Sequence, residues 1–126
     1  MTNPMISVVM PIYNVEAYVG AAVQSVLDQT FKNFELICVD DGSTDGSWKK
    51  LEAAQAEDPH VVAVQFRRNY GQTAAFSAGF DLSRGEWCIT IDADLQNDPA
   101  DIPKLLTRAE EGYDIVSGWR VKRKDA

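Results

Sequence analysis

Five short, largely β-branched runs, each followed by polar residues, constrain this chain more than any other feature. Ile6-Ser7-Val8-Val9-Met10-Pro11-Ile12 is nearly continuous in apolar side chains, which suits a strand buried on both faces of a parallel sheet. Phe34 to Asp40, Val61 to Phe66 and Trp87 to Ile91 repeat the pattern, and Asp114 to Ser117 reads as a fifth strand. Between them lie helical spacings. Ala17, Val19, Ala22, Val26 and Leu27 predict a helix as far as Gln29, with Pro11 ending the first strand's pairing and Asn14 capping the helix. A second helix begins near Thr44 or Ser47 and reaches the turn at Asp58-Pro59-His60, where His60 is expected at the surface. A third covers Gln72 to Ser83. A fourth has Asp98 as cap and Pro99 at its first position, and Gly112 stops it. This alternation predicts an α/β fold: an open, mostly parallel, Rossmann-like sheet with helices on both faces and right-handed crossovers.

At 126 residues the chain is expected to form one domain, 1–126, with room for one site. No apolar run approaches a membrane span, so membrane contact is expected to be peripheral or supplied by a further segment. The net charge of -7 argues against a general nucleic-acid binder. The stretch from Arg120 to Ala126 is nonetheless basic, either a solubilising terminus or a hold on an anionic substrate. Cys38 and Cys88 both fall inside strand runs and are expected to be reduced core residues, since two thiols make no disulfide framework and no zinc spacing. With no signal-type segment at Met1 to Pro4, the expected location is cytoplasmic. The chain stops soon after the fifth strand without a closing helix, so a longer protein is expected, with this part truncated before its acceptor-binding region.

In a parallel sheet every strand ends on the same side, so Tyr13-Asn14, Asp40-Asp41, Arg67-Arg68-Asn69 and Asp92 to Gln96 converge on one rim. Glycine-rich phosphate cradles are absent: there is neither a G-x-G-x-x-G after the first strand nor a Walker-type loop. Asp92-Ala93-Asp94, with Gln96 beyond, offers another means of holding a polyanion. Mg²⁺ or Mn²⁺ accepts carboxylate, carboxamide and phosphate oxygens together. The plainer alternatives are a capped turn for Asp92-Ala93-Asp94, a turn carboxylate pair for Asp40-Asp41 and a solvated surface for Arg67-Arg68.

Taken together, these residues resemble the nucleotide-binding part of a GT-A-fold, family 2 glycosyltransferase. The resemblance rests on Ser7 to Asn14, on Ser25 to Thr30, and on Glu35 through Asp40-Asp41-Gly42-Ser43-Thr44-Asp45-Gly46-Ser47. Asn69-Tyr70-Gly71-Gln72, Asp92 to Pro99 and Ser117-Gly118-Trp119-Arg120 are most similar to the branch with dolichol-phosphate-mannose synthase and bacterial polyprenyl-phosphate glycosyltransferases. The resemblance implies a donor site of Pro11, Tyr13, Glu16, Asp41, Gln72, Asp92 and Ala93. It implies Asp94 and Gln96 as ligands of Mg²⁺ or Mn²⁺, Asp94 and Arg120 as catalytic, and Arg120 with Arg123 facing an acceptor phosphate. One departure bears on Glu16: many relatives place glutamate directly after Tyr-Asn, whereas Val15 intervenes here.

The implied activity is inverting transfer from a UDP- or GDP-linked sugar to a polyprenyl phosphate, at the inner face of the cytoplasmic membrane in the full-length protein. This part alone is expected to bind donor and to transfer poorly. The alternative acceptor is a sugar hydroxyl of a glycan, which would need a general base that the sequence does not offer. A receiver-type signalling domain is a remote alternative, because its acid pair would follow the first strand and a lysine the fifth. A D-x-D phosphatase would likewise carry its motif after the first strand.

Overall fold

The computed structural model describes residues 3–93 and 102–112. Strands β1 (Ile6–Ile12), β2 (Phe34–Asp40), β3 (Val61–Gln65) and β4 (Trp87–Thr90) pair in parallel in the order β3-β2-β1-β4. They alternate with α1 (Glu16–Leu27), α2 (Ser47–Glu57), α3 (Gln72–Leu82) and α4 (Ile102–Glu110). The predicted fifth strand and the Asp98-Pro99 start of the fourth helix lie outside the described residues.

The near-continuous apolar runs take the two central places. Every residue of β2 is buried, and so is all of β1 except Pro11, which is half-buried. Alternate residues serve opposite faces. Ile6, Val8, Met10 and Ile12 join the apolar sides of α1, α2 and α4 in the main core. On the other face Ile37 and Val39 meet Ala75 of α3. Helix α3 approaches very closely there: a Cβ on Gly79 would stand 2.3 Å from Val9 Cγ1. The sheet therefore carries helices on both faces, as expected.

Several local expectations are corrected. Pro11 does not end pairing, since β1 stays in register with β2 through Pro11↔Val39 and Ile12↔Asp40. Val9 O accepts from Ile91 N on the β4 side, and Ile12 O accepts from Asp41 N on the β2 side. Pro11 shares the parity of Val9, so its missing N–H faces the β4 flank beyond the last paired residue and no ladder bond is lost. Helix α1 ends at Leu27 rather than Gln29. The fourth strand is not buried on both faces: Trp87 and Ile89 pack into the core, while Cys88 and Thr90 are exposed. Helix α3 lies over β1 and β2, which leaves the same face of β4 uncovered among the described residues. Cys88 is thus no core residue, whereas Cys38 is fully buried and burial pushes its thiol up to about 12. His60 is half-buried, its ring stacked 4.7 Å from Phe34 and its Nδ1 2.7 Å from Asp58 Oδ1.

At the amino ends of the strands, buried Glu35 accepts from Ser7 Oγ at 2.5 Å and from Arg84 N at 2.7 Å, and it pairs with Arg84 Nε at 3.1 Å. Gly85 N donates to the same Ser7 oxygen at 2.8 Å. This closed network anchors the turn between α3 and β4 at the end remote from the rim.

Candidate functional site

The carboxyl ends of the four strands open on one rim, and the strand order reverses at β1. The chain steps outward from β1 to β2 to β3, then crosses to place β4 on the other flank of β1. Open α/β sheets bind ligands in the crevice such a reversal leaves.

A groove of about 470 Å³ lies over the ends of β1, β2 and β3, lined by Tyr13, Gly42, Ser43, Thr44 and residues 65–69. Tyr13 is 48% exposed along one lip. Arg68, for which a solvated surface was the plainer expectation, lines the groove with its guanidinium carbon 4.8 Å from the Tyr70 ring centroid. The turn after β2 presses directly on the loop after β3. A Cβ on Gly42 would stand 2.2 Å from the Arg68 carbonyl carbon, and Gly42 holds φ +73, so only glycine suits the position.

Asp41 fixes that loop. It is 3% exposed, and its carboxylate accepts from Tyr70 N at 2.7 Å, Gly71 N at 3.1 Å and Asn69 Nδ2 at 3.1 Å. Asp40 is fully buried beneath the rim. One of its oxygens accepts from Ser43 N at 3.3 Å and the other has no hydrogen-bond partner among the described residues.

Asn14 does not cap α1. It holds φ 50, and its Oδ1 accepts from Thr44 N at 2.8 Å. The first amides of α1 find acceptors across the rim instead: Val15 N donates to Ser47 Oγ at 3.1 Å and Glu16 N to Asp45 Oδ2 at 3.1 Å. Reciprocally, Gly46 N donates to Glu16 Oε1 at 2.9 Å, and Lys50 Nζ reaches Glu16 O at 2.7 Å. The hydrogen bond with the Ser47 side chain, opposed by desolvation and aided by backbone amides, holds the Asp45 carboxyl below its ordinary 3.8.

Of the donor-binding residues implied by resemblance, Tyr13 lines the groove, Pro11 sits at the end of β1 and Asp41 lies under the adjoining loop. Glu16 sits in the cross-link just described. Gln72 and Asp92 meet on the far side of the switch crevice, Nε2 to Oδ1 at 3.4 Å. Ala93 is 5% exposed with its side chain in the main core. Asp94, Gln96, Arg120 and Arg123 lie outside the described residues. Asp92 stands half-buried at the rim with a carboxylate, the kind of hard oxygen donor that Mg²⁺ or Mn²⁺ accepts, but the described residues gather no group of three or more acidic, histidine or cysteine side chains there. Asn69, expected on the rim with Arg67 and Arg68, does line the groove; sequence reasoning did not single out Ser43 and Thr44 as lining residues, although their places directly after β2 were the available signal. Asn14 and Asp45 as cross-links had none, because each acts on a segment about thirty residues away.

No helix among the described residues is long and apolar enough to cross a membrane. The family model for glycosyl transferase family 2 matches residues 7–126. Over 129 aligned residues the chain is 48% identical to the undecaprenyl-phosphate 4-deoxy-4-formamido-L-arabinose transferase of Proteus mirabilis, an alignment that covers 96% of this chain and 38% of that protein. It is similar in fold to S. aureus TarS 1-349 in complex with UDP, with 25% identity and a TM-score of 0.74 over 84% of this chain and 32% of that one. A similar match is the mannosyltransferase PcManGT from Pyrobaculum calidifontis in complex with GDP-Man and Mn²⁺, with 23% identity and a TM-score of 0.67 over 74% of this chain and 28% of that one. The chain therefore spans well under half the length of these proteins.

Proposed function

The chain belongs to glycosyl transferase family 2, and from that premise we propose that it is the donor-binding part of an inverting glycosyltransferase acting on a polyprenyl phosphate. The observation that carries this reading is the arrangement of the rim. A groove bounded by Tyr13, Ser43, Thr44 and Arg68 suits a nucleoside, and Asp92 stands beyond the switch crevice where a diphosphate from that nucleoside would reach. The name of the 48% identical relative supports 4-deoxy-4-formamido-L-arabinose as the sugar and undecaprenyl phosphate as the acceptor. The UDP in TarS supports uridine as the donor base, with guanosine, the base in the GDP-Man of PcManGT, as the alternative that the titration below decides.

In this reading Asp94 and Gln96 hold Mg²⁺ or Mn²⁺ with help from Asp92. When bound, such an ion neutralises charge on the leaving diphosphate. Tyr13, Asp41 and the loop it holds orient the nucleoside, while Gln72 keeps Asp92 in place. Arg120 and Arg123 hold the acceptor phosphate so that its oxygen meets the anomeric carbon opposite the leaving group. The new C–O bond forms as the bond to the diphosphate breaks, and the configuration inverts. A phosphomonoester with a second pKa of ~6 is already largely ionised near neutral pH, so no protein base is required. The acceptor being a lipid, the reaction belongs at the inner face of the cytoplasmic membrane.

Titration calorimetry with UDP and GDP, each with and without Mn²⁺, tests the reading. Metal-dependent binding of UDP is expected, lost in Asp94→Ala. Absence of heat with both nucleotides from a folded protein, or unchanged metal-dependent binding in that variant, would refute it.

A further inference from the structure

Building on the donor-binding reading above, we propose that Asn14 is a positioning residue for the nucleoside end of the donor, holding the Tyr13 lip of the groove against its Ser43-Thr44 wall. Asn14 does not itself line the groove. Its backbone is left-handed, φ 50, a conformation that asparagine tolerates better than most residues but that still has to be held. The holding is visible on both sides of the peptide. Asn14 N donates to Ser43 Oγ at 2.9 Å, and Asn14 Oδ1 accepts from Thr44 N at 2.8 Å and more weakly from Thr44 Oγ1 at 3.4 Å.

The residue before it has the complementary restraint. Ile12 O accepts from Asp41 N at 2.8 Å, so the Tyr13 backbone is fixed to the turn after β2 on one side by Asp41 and on the other by Ser43. Tyr13, Ser43 and Thr44 all line the groove, and Tyr13 is its large exposed side chain, at 48%. Pinning the backbone at Asn14 is therefore the means by which the opening between Tyr13 and Ser43-Thr44 keeps one width before a ligand arrives. A slot formed in advance avoids ordering both lips on binding. The neighbouring links, Glu16 N to Asp45 and Gly46 N to Glu16, extend the same seam away from the groove, which leaves Asn14 as the member nearest the ligand.

The test compares UDP affinity in wild type, Asn14→Gly and Asn14→Asp, with melting temperature recorded for each. Glycine keeps the left-handed backbone free of strain and removes Oδ1, while aspartate keeps an acceptor at that place. The expected result is a roughly 2- to 10-fold rise in Kd for Asn14→Gly, the size of one net hydrogen bond, with affinity near wild type for Asn14→Asp. Equal affinity in Asn14→Gly, or an equal loss in both variants, would overturn the positioning role while leaving the donor reading intact. Failure of wild type to bind either UDP or GDP would overturn both. Should Asn14→Gly not fold, amide hydrogen exchange on nucleotide-free wild type decides. A protected Thr44 amide supports a slot held in advance, and an unprotected one overturns it.

Discussion

Asp41→Asn is the most informative single change at the rim, because almost every atom is kept and only the acceptor set is altered. Asp41 Oδ1 receives Tyr70 N at 2.7 Å and Oδ2 receives Gly71 N at 3.1 Å. A carboxamide has one acceptor oxygen and one NH₂, so in either orientation one backbone N–H faces a donor. Stranding a buried donor costs about 1–3 kcal/mol, and turning the remaining charge-assisted bond into a neutral one removes about 1 kcal/mol more. The expected loss is therefore about 2–4 kcal/mol, a large part of the ~5–15 kcal/mol that holds a domain of ordinary stability together. If the loop lets go locally instead, the loss in global stability is smaller and appears as local opening. Urea denaturation gives the first quantity, and amide exchange at Tyr70 and Gly71 gives the second. An unchanged midpoint together with undiminished protection of those two amides would refute the conclusion that this carboxylate holds the loop. The same variant should weaken nucleotide binding, because the loop carries Arg68 and Asn69 into the groove.

Gly79→Ala places a methyl 2.3 Å from Val9 Cγ1 and should destabilise by about 1–2 kcal/mol, overpacking outweighing the better helix propensity of alanine. Val9→Ala should relieve it, so a thermodynamic cycle of the two changes should show about 1 kcal/mol of favourable coupling; additive effects would mean the helix shifts freely. Native protein should expose one thiol to a disulfide reagent, Cys88, while Cys38 reacts only on unfolding; two fast thiols would contradict its burial. Asp45 and Asp58 both titrate below their ordinary 3.8 when folded, so the unfolded chain binds more protons around pH 4. Their contribution is complete above that value and is lost as pH falls through the lower, folded pKa. Asp45→Asn should accordingly lower stability at neutral pH and flatten its decline in acid, and an acid limb as steep as wild type would argue against the Asp45 seam.

The architecture was legible because it follows from runs of residues. The apolar stretches Ile6 to Ile12 and Phe34 to Asp40 read as buried strands, and the helical spacings between them left one plausible class of fold; which strands are central was not legible, since the runs of β3 and β4 follow the same pattern. The convergence of strand ends on a rim followed from parallel pairing alone. What escaped was decided by neighbours distant in sequence. Cys88 and Ile89 are both apolar in type, and only the placement of α3 over β1 and β2 determines that one is exposed and the other packed. Asn14 has the right chemistry for a cap of its own helix, yet Thr44 outcompetes the helix for its oxygen. Pro11 looked like a terminator because the parity that makes it harmless depends on where β4 stops.

The borrowed caps of α1 also have a consequence for the order in which the chain assembles. Its first amides are satisfied by Ser43, Asp45 and Ser47, which lie 29 to 32 residues further on. Until β2 has docked and the turn into α2 has closed, the amino end of α1 has no side-chain partner and should fray. Helix α1 would then consolidate from its carboxyl half, with Val19 to Val26 packing first and the turn at Asn14 to Glu16 setting last. Substitutions at Asn14 or Asp45 should speed unfolding while leaving the folding rate nearly unchanged, whereas those at Val23 or Val26 should slow folding itself.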